Sequence, residues 1–228
     1  ADFIKKDLLT KDLSEIVITH HASCYHESKA AVVHDILTAL DFEVHLQATN
    51  HHIIIDEQSL NEKMQANEQR RLKKCVNSGM YFTLEPEQNA REIHDYIAAR
   101  RKDKDLTISI GWEKMAMYLE EFPQTYLMFT VRDLEGNICA ATVAVRVSKK
   151  ILYNFLPASS TSKSEYSPMV MLLDGMYQFC QGHRYEILDL GISNDANGKP
   201  QKSLIHFKEK MGGIEGYKEF YKYTLATK

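Results

Sequence analysis

Residues 126–157 read YLMFTVRDLEGNICAATVAVRVSKKILYNFLP. Three runs in this stretch are rich in β-branched, aromatic and other apolar residues, as strands are. The runs are Tyr126–Arg132, Ile138–Val147 and Ile151–Pro157. A turn sequence, Glu135-Gly136-Asn137, separates the first two, and Gly and Asn favour tight turns. The stretch therefore predicts three consecutive antiparallel strands.

A helix and a strand follow this meander. Ser167 and Pro168 are typical N-cap and N1 residues of a helix, which we expect to reach Gln181 and to stop at Gly182. The next elements are predicted to be a strand, a helix and a strand, at Tyr185–Leu190, about Pro200 to Met211, and Gly216–Leu225. A strand–helix–strand crossover after a meander implies a mixed sheet. The predicted fold class is therefore α+β, an α/β sandwich.

The N-terminal half carries further helix and strand signals. Ser59 and Glu62 form a capping box for a helix that we expect to stop near Ser78-Gly79. Two short extended runs precede it, and we expect a polar turn to join them. These runs are Phe42–Gln47 and His51–Ile55.

Length, composition and charge restrict the classes of protein to which the chain can belong. The 228 residues fit one domain, predicted over 1–228, with an N-terminal extension at 1–30 and a core at about 31–226. The chain is 44% hydrophobic and 26% charged, which excludes disordered and collagen-like classes. A net charge of −3 excludes a global basic field, so a nucleic-acid contact needs a local patch. The four cysteines form no CxxC motif, which indicates reduced thiols in a cytoplasmic protein. No apolar stretch is long enough to span a membrane.

Several short motifs match a known family. They are Tyr166-Ser167-Pro168, Gln181-Gly182-His183, QRRLKKC at 69–75, LDLGIS at 188–193 and FKEKMGG at 207–213. With them, the chain resembles the GNAT-like domains of the Fem type from roughly Val33 to Leu225. The resemblance implies a GNAT-like fold, with a mixed central sheet and helices on both faces. Fem proteins proper carry two such domains, and this chain has the length of one.

The resemblance also implies a function. The family includes GNAT-fold acyltransferases and FemX-like peptidyltransferases, which add amino acids from aminoacyl-tRNA to peptidoglycan precursors. We therefore expect an acyltransferase, either an acetyltransferase or a Fem-like aminoacyltransferase. It would move an acyl or aminoacyl group from acyl-CoA or aminoacyl-tRNA to a small-molecule or peptide amine.

Lys208, Asp189 and Tyr153 are the candidate catalytic residues. Acyl transfer passes through a tetrahedral intermediate whose oxygen gains charge, and a positioned cation stabilises it. Lys208 is the Lys of the family's Phe-Lys pair, which is implicated in stabilising the reacting acyl group; a solvated helix lysine is the alternative. Asp189 either caps the loop after its strand or faces a cleft there. Tyr153 could donate to a leaving group or simply pack.

A donor site is predicted around the loop 158–168. GNAT acetyltransferases hold a thioester carrier with backbone N–H groups of a Q/R-x-x-G-x-G/A loop at a helix N-terminus. The corresponding loop here has no glycine, so the close backbone approach that glycine permits is missing. Acetyl-CoA stays a candidate donor, and the candidate residues for binding the donor are Ser167, Lys163, Tyr166 and Phe207. No metal is predicted, because the His and Cys residues at 20–26 complete no familiar zinc spacing.

A basic helix is the candidate contact for tRNA. Arg70, Lys73 and Lys74 share one face at a spacing of three to four residues, which suits RNA phosphates. A solvated helix face is the alternative interpretation, and Arg71 could pair with an acid inside the domain.

The transferase interpretation requires a slot in the sheet. We expect the strands that end near Pro157 and Asp189 to part, leaving room for a carrier's thioester or ester beside an amine. If side chains fill that slot, the alternative is a catalytically inactive GNAT-fold module for binding or interaction.

Overall fold

The computed structural model describes residues 14–160, 166–195 and 197–224. The chain divides into two compact units. The smaller unit consists of Ala1–His51, Ile192–His206 and Glu215–Lys228, and the larger unit consists of His52–Gly191 and Phe207–Ile214. A single domain over the whole chain stays a prediction.

The described part of the smaller unit contains three strands, together with helices. Its elements are β1 (Glu15–Thr19), a 3₁₀ helix (Ser23–Tyr25), α1 (Glu27–Ala39), β2 (Glu43–Ile54, through His51), the start of α7 (Lys202–Lys210) and β9 (Ile214–Thr224, from Glu215). The strand order is β1-β9-β2, and β1 pairs antiparallel with β9, with Ile18 opposite Tyr221. Leu37, Phe42 and Tyr221 are buried together and form its core.

Strand β2 differs from the prediction of two short strands joined by a turn. It runs unbroken from Glu43 to Ile54, and both predicted runs belong to it. The stretch contains neither Gly nor Pro, so no residue in it demands a turn. Ala48, Asn50 and Ile53 are buried along it, so the polar residues that indicated a turn are accommodated inside a strand.

The larger unit has a mixed sheet with the order β8-β6-β5-β4-β3, and β7 also pairs with β5. The strands are β3 (Tyr81–Glu85), β4 (Tyr126–Arg132), β5 (Ile138–Arg146), β6 (Ile151–Asn154), β7 (Ala158–Ser159) and β8 (Ile187–Ile192, through Gly191). All these pairs are antiparallel except β6 and β8, which are parallel. The predicted meander is β4-β5-β6, with the first strand as predicted.

Helices cover both faces of this sheet. They are α2 (Leu60–Lys63), α3 (Ala66–Asn77), a 3₁₀ helix (Glu87–Asn89), α4 (Ala90–Lys102), α5 (Trp112–Glu121) and α6 (Pro168–Gly182). Strands present alternate residues to opposite faces, so Phe129 joins the core under α2, α3 and α6, whereas its neighbour Met128 joins the core under α4 and α5. The predicted fold class, a mixed sheet with helices on both faces, is confirmed within this unit.

The helix that begins with the Ser59–Glu62 capping box is shorter than predicted. The capping box is present, but α2 ends after one turn and α3 starts only at Ala66. Met64 and Gln65 are extended between them, and the Gln65 amide donates to the carbonyl of Lys210 at 2.9 Å. This bond, which joins residues far apart in sequence, replaces a helical one at the break.

Three of the four cysteines, Cys75, Cys139 and Cys180, are buried thiols in the core under α3 and α6. Burial raises the pKa of Cys75 to about 11 and that of Cys180 to about 12. An apolar environment disfavours the thiolate, so these side chains act as small apolar residues.

Gly175 lets α6 lie close to β3. It is buried in α6, and a Cβ atom there would stand 2.2 Å from ring atoms of Phe82. A Gly175→Ala substitution therefore forces the Phe82 ring to move, and overpacking of this kind costs about 1–3 kcal/mol. We expect the free energy of unfolding, measured by urea denaturation, to fall despite the higher helix propensity of alanine.

Gly182 gives the matched control in the same helix. A Cβ atom there meets nothing within 4 Å, so Gly182→Ala should leave the free energy of unfolding equal or slightly higher. Combining Gly175→Ala with Phe82→Ala should cost less than the sum of the two single changes. Additive costs, or an unchanged Gly175→Ala, would contradict the proposed close approach.

Candidate functional site

The parallel ladder between β6 and β8 ends at Tyr153 and Asp189. Beyond Asn154, the amides of Phe155 and Leu156 both donate to the carbonyl of Val143, at 3.1 and 3.0 Å. The chain then pairs with β5 through β7, while β8 continues past Asp189. The two strands therefore part at this point in the sheet.

Lys208 brings a cation to this point. It lies in the last turn of α7, is only 5% exposed, and its Nζ donates to the carbonyl of Gly191 at 2.7 Å. The alternative of a solvated helix lysine does not describe this side chain. Burial lowers its pKa to about 8, and the carboxylate of Asp189 acts in the opposite direction by favouring the charged form.

The two glycines after α7 explain how the lysine is held. Gly212 has φ +84°, in the left-handed region, and ends the helix. The Gly213 amide then donates to the carbonyl of Lys208 at 2.9 Å, and a Cβ on Gly213 would stand 2.7 Å from that oxygen. The sequence FKEKMGG thus makes a tight return that a larger residue at 213 would disturb.

Asp189 supports the backbone that Lys208 contacts. Its side chain is buried, and its Oδ1 accepts from the amide of Gly191 at 2.8 Å. Gly191 has φ +76°, and a Cβ there would stand 3.1 Å from the ring of Tyr153. Asp189 therefore caps the turn at Gly191, the first of the two roles predicted for it, and it also lies within electrostatic range of Lys208.

Tyr153 forms the opposite side of the same turn. It pairs in register with Asp189, and burial together with the Asp189 charge raises its pKa to about 12. The phenol therefore keeps its proton at neutral pH and can act as a hydrogen-bond donor but not as a base. The structure thus brings Lys208, Asp189 and Tyr153 together around Gly191.

Three of the four residues predicted to bind the donor lie in the described part of the chain. Phe207 and Tyr166 are partly buried and pack against the core under α3 and α6. Ser167 precedes α6 with φ +53°, and its side chain makes no capping hydrogen bond, because the left-handed backbone differs from the extended one that side-chain capping uses. Lys163 lies outside the described residues.

This structure is similar to several solved ones. A structure of FemX matches with a TM-score of 0.73 at 11% sequence identity, covering 98% of this chain and 75% of that one. L-PGS from Bacillus licheniformis matches with a TM-score of 0.64 at 14% identity, covering 97% and 71%. A tandem GNAT protein from the clavulanic acid biosynthesis pathway gives 0.58 at 9% identity, covering 99% and 69%. No protein-family model and no curated protein matches the sequence.

The chain has a Fem-type GNAT-like fold. The resemblance inferred from the motifs is thereby confirmed for the fold. No helix in the described ranges has the length and apolar content needed to cross a membrane.

Helix α3 presents the predicted cationic face. Arg70, Lys73 and Lys74 are exposed on α3. Arg71 differs, because its Nη1 lies 3.0 Å from both carboxylate oxygens of buried Glu68, as the alternative of an internal ion pair requires. Arg70, Lys73 and Lys74 are therefore accessible to a polyanion.

The sequence analysis includes Gly191 in the motif LDLGIS but assigns it no role of its own. Its role could have been found from its place directly after the predicted strand, where a glycine often supplies a left-handed turn.

The lowered pKa of Lys208 predicts a pH dependence of stability. Between pH 8 and 10.5 the unfolded chain keeps the lysine proton that the folded chain releases, so the free energy of unfolding rises with pH. The slope from this group is at most about 1.4 kcal/mol per pH unit, and below pH 8 it vanishes. The buried thiols of Cys75 and Cys180, whose pKa values are raised, act in the opposite direction in both proteins. The free energy of unfolding of the wild type minus that of Lys208→Met, measured by urea denaturation at several pH values, should therefore rise over this range.

A direct titration checks the same property. In protein labelled with ¹³C-lysine, the Cε resonance that disappears in Lys208→Met should titrate with a midpoint near 8. A midpoint above 10, or parallel stability profiles of the two proteins, would show that the ammonium is not desolvated in this way.

Proposed function

We propose that this protein is a transferase that moves an acyl or aminoacyl group from acyl-CoA or aminoacyl-tRNA to an amine. The observation that carries the proposal is the buried ammonium of Lys208, hydrogen-bonded to Gly191 where β6 and β8 part. A fixed cation with little exposure to water is suited to stabilise the oxygen that gains charge in an acyl transfer.

The neighbouring groups are suited to support that cation. The carboxylate of Asp189 favours the charged form of Lys208, and it also holds the amide of Gly191. Tyr153 stays protonated, so in the proposed reaction it donates a hydrogen bond and takes no proton. The nucleophilic amine would lose its proton to water or to the substrate itself.

The chemistry of proteins with similar structures supports the same reaction class, acyl or aminoacyl transfer. FemX, L-PGS from Bacillus licheniformis and the tandem GNAT protein of the clavulanic acid pathway share the fold. Because identities are 14% or lower, these matches support the reaction class as a proposal and do not select the donor.

The glycine-free loop before α6 bears on the choice of donor. Backbone close enough to cradle the pyrophosphate of CoA usually contains glycine, and residues 158–168 contain none. This favours aminoacyl-tRNA over acyl-CoA and also motivates the second candidate, a catalytically inactive binding module. The exposed cations of α3 add support for the tRNA donor, which carries many phosphates.

Loss of the Lys208 cation should remove most of the activity. With acetyl-CoA or aminoacyl-tRNA as donor and a panel of amines as acceptors, product is detected by mass spectrometry. We expect Lys208→Met, which nearly keeps the length of the side chain, to lower kcat about 10²–10³-fold. Lys202→Met, at an exposed position of the same helix, is the control and should keep full activity.

The outcomes separate the candidate functions. Activity of Lys208→Met close to that of the wild type would remove Lys208 from the mechanism. No product with either donor, together with no binding of acetyl-CoA at millimolar concentration, would favour the inactive module.

Charge reversal on α3 should weaken retention of tRNA. The double variant Arg70→Glu/Lys74→Glu removes two phosphate contacts, so the slope of log affinity against log salt should become shallower by about 2. Filter binding at a series of salt concentrations between about 50 and 200 mM measures this slope.

A charge-matched double variant is the control for this experiment. Lys104→Glu/Lys149→Glu reverses the same number of charges at two other exposed lysines and should retain tRNA like the wild type. Equal loss in both double variants would mean that overall charge, and not the α3 face, governs binding.

A further inference from the structure

Asn154 is the last residue of β6 and lies where this strand leaves β8. The parallel ladder pairs Tyr153 with Asp189, so continued pairing would place Asn154 opposite Leu190. The chain turns away instead, and the next two amides donate to the carbonyl of Val143 in β5. Asn154 is therefore the first residue of β6 that borders the parting of the two strands.

The side chain of Asn154 lies on the α6 side of the sheet. Residues of a strand alternate between the two faces, so Asn154 shares a face with Leu152 and not with Tyr153. Leu152 is fully buried in the core under α3 and α6, and Tyr166 and Phe207 pack against the same core. Both aromatic residues are candidates for binding the donor, so Asn154 lies on the face of the sheet that carries these candidates.

A single hydrogen bond orients the side-chain amide of Asn154. The hydroxyl of Thr142 donates to Asn154 Oδ1 at 2.7 Å, and both residues are buried. This hydroxyl has one proton, and the other acceptor near it, the carbonyl of Val143, is more distant at 3.2 Å. Because the amide is planar, holding its oxygen also fixes the direction of its NH₂ group.

The NH₂ group of Asn154 has no hydrogen-bond partner among the described residues, although the residue is only 5% exposed. The nitrogen keeps some contact with solvent, since it is not one of the side-chain atoms that are both fully inaccessible and unpartnered. Buried polar groups in native proteins are nearly always hydrogen-bonded, so a buried amide with an oriented, unused donor requires an explanation. A ligand that offers an acceptor at the parting of β6 and β8 would supply one.

We propose that Asn154 is a substrate-binding residue whose NH₂ group donates a hydrogen bond to a carbonyl oxygen of the acyl donor. Both candidate donors carry such an oxygen, in the thioester of acyl-CoA or in the ester of aminoacyl-tRNA. Thr142 is the positioning residue, because its hydroxyl fixes the amide before the ligand arrives, and a fixed donor needs no reorganisation. The identity of the ligand rests on the proposed transferase function, whereas the oriented amide is a feature of the structure alone.

Titration of the intact protein with two carbonyl-containing probes tests the contact without any assay of activity. The probes are acetyl-CoA and puromycin, an aminonucleoside that carries its aminoacyl group through a stable amide bond. The side-chain NH₂ signals of Asn154 are followed by ¹H–¹⁵N NMR and are identified by their disappearance in Asn154→Leu. They should shift and saturate at millimolar concentrations of at least one probe.

Variants of the two residues separate the donor from the positioning residue. The dissociation constant of the bound probe should rise about tenfold in Asn154→Leu, which loses one hydrogen bond. Asn61→Leu makes the same change at an exposed position of α2 and should bind like the wild type. Thr142→Val should also weaken binding, whereas Thr142→Ser keeps the hydroxyl and should retain most of the affinity.

A purely structural role for the Thr142–Asn154 pair predicts a different pattern. The pair would then only stabilise the sheet, so Asn154→Leu and Thr142→Val would lower the melting temperature and leave the dissociation constants of both probes unchanged. That pattern would overturn the proposal. So would the absence of a saturable shift of the Asn154 signals in the wild type with either probe at millimolar concentrations.

The two probes also distinguish the kinds of donor. Tighter binding of acetyl-CoA indicates a thioester donor, and tighter binding of puromycin indicates an aminoacyl donor; either result supports the site. If a probe binds at Asn154 but no transferase product forms, the proposed function is wrong and the binding residue remains. If Lys208→Met abolishes a measured activity while neither probe shifts the Asn154 signals, the role of Asn154 is wrong and the function remains.

Discussion

The hydrogen bond from the Lys208 ammonium to the carbonyl of Gly191 is the contact on which the candidate site depends. It joins the end of α7 to β8 at a buried position, where a charge-assisted bond contributes about 1.5–3 kcal/mol. Asp189 holds the other side of the same residue through the Gly191 amide. Gly191 is thus fixed at both its polar groups, and the cation beside it cannot move without breaking this arrangement.

Local signals in the sequence are sufficient to predict much of the fold. The strand Tyr126–Arg132 is predicted with its observed bounds, because its apolar run ends just before a Gly-Asn turn. The Ser59–Glu62 capping box is also correct, since both of its hydrogen bonds lie within four residues. The break after α2 cannot be predicted in this way, because the amide of Gln65 is satisfied by Lys210, which is distant in sequence.

The sequence indicates which residues form the candidate site, but it does not indicate their burial or their contacts. The motifs indicate Lys208 and Asp189, but the burial of Lys208 follows from the tight return at Gly213 and from the position of β8. Sequence patterns describe which face a side chain occupies, and tertiary packing decides what it meets there.

The buried cysteines have a practical consequence for studying this chain. Cys75 and Cys180 are inaccessible, and their raised pKa values leave almost no thiolate at neutral pH. Alkylating reagents attack the thiolate, so these two side chains should react only when the core around α6 opens. Their labelling rate would then report how often the core opens. Cys24, which is partly exposed, would provide a rapidly labelled thiol for comparison in the same sample.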